Sequence, residues 1–75
     1  MKKHRFDGAF LKTLRKRNGM TLEELGEEIG TSKSYMHELE NGKCEPSFHK
    51  AYALAKVLGV EMKLFGREAE KDRII

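Results

Sequence analysis

Gly30 interrupts a helical rhythm in the stretch LGEEIGTSKSYMHELENG, residues 25–42. Before it, Leu22, Leu25 and Ile29 recur at helical spacing, and after it Met36 and Leu39 do the same. A glycine takes the positive φ that a tight bend needs. Thr31 and Ser32 follow at once, and Ser32 reads as the N-cap of the second helix. The chain must therefore pack two short helices across a sharp turn. Few folds allow that.

The flanking segments are also helical. Phe6, Phe10, Leu11 and Leu14 form a stripe with Lys12, Arg15, Lys16 and Arg17 between them. Asp7 is a good N-cap for this first helix, and Asn18-Gly19 stops it. Thr21-x-x-Glu24 reads as a capping box, with Met20 and Leu25 placed as a hydrophobic staple. Gly26 lies inside the second helix, where glycine costs about 1 kcal/mol against alanine. On the buried side it suggests close approach by another helix. Asn41-Gly42 ends the third helix. Ser47 then opens a fourth through Phe48, Ala51, Tyr52, Leu54, Ala55 and Leu58 to Gly59. The stretch VEMKLF is ambiguous. Val60, Met62 and Leu64 alternate as in a strand, whereas a fifth helix would bury Leu64 and Phe65. Strand is slightly favoured, because Glu61 is a weak N-cap. A lone strand needs a partner, so Val60, Met62, Leu64 and Phe65 become candidates for a dimer interface.

The predicted class is all-α, with four to five short helices and room for a short C-terminal strand. The 75 residues divide into a basic arm at 1–5, a domain at 6–65 and a charged tail at 66–75 with a possible dimer contact. Such a domain buries only about 60% of its unfolded surface, so dimerisation would help it. One cysteine excludes an internal disulfide framework. His4, Cys44 and His49 lack metal-ligand spacing, so no metal and no cofactor is expected. No nucleophile–base or paired-carboxylate constellation points to an enzyme. The basic start has no apolar run behind it, so it does not read as a signal peptide, and no membrane span is present. The expected location is the cytoplasm, at the nucleoid.

Charge is uneven. Residues 1–20 carry seven Lys/Arg against one Asp, a balance of +6, whereas residues 21–30 carry four Glu and no base. A basic segment on a small domain suits a phosphate backbone, although a solubilising surface reads the same way.

Two helices joined around Gly30 fit a helix-turn-helix. The segment LRKRNGMTLEELGEEIGTSKSYMHELENGKCEPS resembles the helix-turn-helix domain of the phage Cro and repressor type, the XRE-like family, with a lambda-repressor-like fold. The resemblance spans roughly residues 8 to 65. It implies five helices, a two-fold dimer on double-stranded DNA, and the third helix (about 32–41) in the major groove. A recognition helix reads bases from its first turn and from one turn later. Those positions are Ser32, Lys33, Ser34 and Glu38, with His37 beside them. Lysine can donate to guanine, and a carboxylate can accept from cytosine N4. By resemblance, Thr21, the backbone at Leu22, Asn41 and Lys43 touch phosphate, and Arg17 is a further candidate. The resemblance also pairs Arg15 with Glu40 inside the domain.

Three positions depart from the family, mildly at Gly26, where alanine is usual, and more sharply at two others. Leu22 stands where glutamine usually braces the recognition helix, and Glu38 stands where Gln, Arg or Lys is usual. The expected function is a dimeric repressor of a near-palindromic operator. An antitoxin whose main role is binding a toxin, with autoregulatory DNA binding, is an alternative suggested by the strand-like VEMKLF and the charged tail. A helix-turn-helix-shaped interaction module without DNA binding is a second alternative.

Overall fold

A computed structural model describes residues 6–65; the arm at 1–5 and the tail at 66–75 lie outside them. Four α-helices follow one another: α1 Gly8–Arg17, α2 Leu22–Glu28, α3 Lys33–Glu40 and α4 Phe48–Leu58. A 3-10 helix, Met62–Phe65, closes the order. All four α-helices start on a side-chain cap. Asp7 accepts from the Phe10 N–H, Thr21 from Glu24, Ser32 from Tyr35 and Ser47 from Lys50. At α2 the box is reciprocal, because the Glu24 carboxylate also accepts from the Thr21 N–H at 2.9 Å.

The helices meet on Leu11, Leu14, Leu25, Met36, Leu39, Leu54, Ala55, Leu58 and Phe65, all buried. Gly8 fixes how closely α1 approaches the end of α3. A Cβ there would collide with the Leu39 carbonyl oxygen and lie 2.8 Å from that of Glu40. Only a glycine fits that crossing.

The strand expected at 60–65 does not form. Met62–Phe65 is a 3-10 helix, and Phe65 belongs to the core of its own chain rather than to a dimer face. The reason is contact with the start of the chain. Phe65 stacks on Phe6 with centroids 5.0 Å apart and meets Phe10 edge-on at 5.6 Å. Its carbonyl accepts from the Asp7 N–H at 2.6 Å. A strand would have put Phe65 on the face opposite Met62 and Leu64. The helical turn instead turns Phe65 inward, leaves Val60 and Met62 half-buried against the core, and exposes Leu64.

Candidate nucleic-acid interface

The α2–turn–α3 unit is held from inside. Gly30 has φ +75°, in the left-handed region that glycine enters without a steric penalty. The Thr31 N–H donates to the Gly26 carbonyl at 2.8 Å, which folds the turn back onto α2. A Cβ on Gly26 would sit 2.8 Å from the Thr31 oxygen and 3.3 Å from Met36 Cγ. The tightest constraint at Gly26 is therefore the turn backbone, with α3 next.

A second restraint holds the far end of α3. The Arg15 guanidinium donates from Nε to Glu40 Oε2 at 2.6 Å and from Nη2 to Glu40 Oε1 at 3.0 Å. Its Nη1 donates to the Met20 carbonyl at 2.8 Å. Both side chains are buried. The paired carboxylate pushes the Arg15 pKa up, chiefly through the hydrogen bond, against the opposing effect of burial. One side chain thus ties α1, the entry to α2 and the end of α3 together.

That scaffold presents a cleft of about 400 Å³ lined by Leu22, Lys33, Ser34, His37 and Glu38. Four of the five proposed base-reading residues meet there, all exposed. Ser32 is exposed but does not line the cleft; its hydroxyl oxygen accepts from the Tyr35 N–H at 3.1 Å and caps α3. Leu22, half-buried at the start of α2, forms the apolar wall. Glu38 has no ion-pair partner among the described residues.

The phosphate candidates sit at helix ends and in the loop after α3. Arg17 ends α1, and Thr21 caps α2. Asn41 donates from Nδ2 to the His37 carbonyl at 2.9 Å, so its side chain is engaged with α3 itself. Lys43 is exposed, and its backbone N–H donates to the Glu38 carbonyl at 2.9 Å. Cys44 lies in the loop after α3, half-buried and free of any disulfide. Burial pushes its thiol pKa up, and the carboxylates of Glu38 and Glu45 push it further. Glu45 also accepts from the Phe6 N–H at 3.2 Å across 39 positions of sequence. No local pattern announces such a contact.

A family model described as helix-turn-helix matches residues 11–65. The chain belongs to this helix-turn-helix family, in its Cro and repressor branch. As a member of it, the helix-turn-helix protein is a DNA-binding transcriptional regulator. An HTH-type transcriptional regulator of Sinorhizobium fredii is 38% identical over 53 residues, which make up 71% of this chain and 69% of that one. Among solved structures, SinR, a master regulator for biofilm formation known from Bacillus subtilis, was determined in complex with DNA. It matches this helix-turn-helix domain with a TM-score of 0.71 at 32% identity, over 77% of this chain and 94% of that chain. The P22 c2 repressor, bound to a synthetic operator, gives a TM-score of 0.75 over 77% and 88% of the two chains. At 24% identity that likeness speaks to the fold alone.

Proposed function

We propose that the protein is a dimeric, sequence-specific repressor that lays α3 in the major groove of a near-palindromic operator. The observation that carries this reading is the cleft in which Lys33, Ser34, His37 and Glu38 converge on the exposed face of α3. Lysine can donate to guanine O6 and N7, a serine hydroxyl to several base edges, and a carboxylate can accept from cytosine N4. Thr21, the Leu22 backbone, Arg17, Asn41 and Lys43 act as phosphate contacts around it. That SinR was solved on DNA supports the same mode here. In a dimer the two α3 helices would sit about 34 Å apart, one turn of the duplex. Exposed Phe48, Tyr52 and Leu64 supply apolar surface for a second copy.

Selection of sites from a random duplex pool tests the reading. Lys33→Ala and Ser34→Ala should change the selected sequence. Lys43→Ala should weaken all sequences alike and lower the salt slope by about one. Unchanged preferences in both α3 variants would overturn the groove placement. Equal failure to bind any duplex at low ionic strength would favour the interaction module without DNA binding.

The antitoxin reading has lost the strand at 60–65, one of the two features that suggested it; the other, the charged tail, lies outside the described residues. What favours a protein partner now is the stacked pair Phe48 and Tyr52, exposed on α4 with centroids 6.3 Å apart. A toxin or other regulatory protein that co-purifies in equal amount from the native host would decide for that role.

A further inference from the structure

We propose that the α3 cleft is a reader of 5-methylcytosine, with Glu38 accepting from the base N4 amino group and Leu22 covering the 5-methyl group. The proposal rests on the placement of α3 in the major groove and goes beyond it to name the base. One observation and the chemistry of the base carry it. A carboxylate with no ion-pair partner among the described residues and an apolar side chain line the same cleft, and 5-methylcytosine carries the matching groups side by side.

Base chemistry narrows the choice. On the major-groove edge, cytosine shows the N4 donor, with no acceptor of its own beside it. Adenine shows a donor at N6 but an acceptor at N7 next to it, which repels a carboxylate. Thymine carries the 5-methyl group but places the O4 acceptor where Glu38 needs a donor. Guanine offers acceptors at N7 and O6, which suit Lys33 and not Glu38. Of the single bases, only a cytosine with a methyl at C5 satisfies the carboxylate and the leucine together. Leu22 is decisive. It is half-buried, packs on the core from the first turn of α2, and turns its remaining surface to the cleft. Unmodified cytosine leaves that surface facing water. A methyl group placed on it gains about fourfold in affinity per half-site, the value of one buried methylene-sized group.

The test uses the wild-type protein and the duplex it selects from a random pool. Each selected cytosine is replaced in turn by 5-methylcytosine, and binding is followed by fluorescence anisotropy at fixed salt. One cytosine in each half-site should bind about fourfold tighter when methylated. Thymine at that position should bind more weakly than cytosine. Glu38→Ala, which removes the acceptor, should abolish the preference for cytosine there. Leu22→Ala should keep the cytosine preference and lose the gain from methylation. A selected duplex whose affinity does not rise on methylation at any cytosine overturns the inference and leaves the groove placement standing. A methylation gain that persists in Leu22→Ala overturns the role of Leu22. Selection of no preferred duplex overturns the groove placement itself, and the inference with it.

Discussion

Arg15 and Glu40 form a pair whose net worth and whose removal differ. Taking two charges out of water nearly offsets their attraction, so the intact pair adds little to stability. Removing one partner strands the other among buried side chains. Glu40→Ala should lower the unfolding free energy by about 3–5 kcal/mol in a urea titration, whereas Arg15→Met with Glu40→Leu should recover most of that loss. Cys44 makes a different prediction. Its thiol holds its proton more firmly folded than unfolded, first through burial and then through Glu38 and Glu45. At about pH 8.5, where a free thiol is half ionised, iodoacetamide should label native Cys44 more slowly than the urea-unfolded chain. Glu38→Gln should speed the native reaction. The sign for stability follows from the raised pKa. The contribution is complete below the unfolded pKa and is lost as pH rises through the folded one, and Cys44→Ser should flatten that alkaline loss. The pair was legible in the sequence only through the family resemblance. The Glu38–Cys44 coupling was not legible, because it depends on the loop after α3 returning beside that helix.

The turn between α2 and α3 shows what a short element needs in order to aim its neighbour. An isolated eight-residue helix is not stable in water, so α3 persists because its cap and its buried Met36 and Leu39 hold it. Ser32→Ala should cost about 1 kcal/mol through the lost cap. Gly26→Ala should do something else. The new Cβ would press on the Thr31 carbonyl, which belongs to backbone and cannot swing aside. The turn must shift and α3 tilts with it. Thermal melting and duplex binding measured together separate the two variants. Ser32→Ala should lower stability and leave the selected sequence unchanged, whereas Gly26→Ala should also weaken specific binding. The capped starts of α1 to α4 could be read from Asp7, Thr21, Ser32 and Ser47 directly, because capping is local chemistry. The segment 60–65 could not. Alternation of Val60, Met62 and Leu64 satisfies a strand, and only the pocket made by Phe6 and Phe10 turns Phe65 inward instead.

At the scale of the molecule, the surface divides by charge and by apolarity. α2 turns Glu23, Glu24, Glu27 and Glu28 outward, away from the core. Those carboxylates would repel DNA on that side and so help to orient the duplex toward α3. Among the described residues, the large apolar side chains left exposed are Phe48, Tyr52 and Leu64. If they form the proposed dimer face, Leu64→Glu should shift the solution mass toward monomer and weaken operator binding, with little change in the helical circular dichroism. Phe65→Ala should instead destabilise the fold itself by about 3–5 kcal/mol, as deletion of a buried phenylalanine does. Analytical ultracentrifugation and urea unfolding distinguish these outcomes.

The sequence by itself determined the helices, their caps, the bend at Gly30 and the set of side chains offered by α3. Each of these follows from interactions within a few residues, or from a spacing that repeats every turn. Only the tertiary structure decided that Gly8 sits against the end of α3, that Leu22 shares a cleft with Glu38, and that Phe65 closes the core as part of a 3-10 helix. Those outcomes depend on which surfaces meet when residues distant in the chain pack together. Periodicity lists the faces available for burial, and shape and volume choose among them.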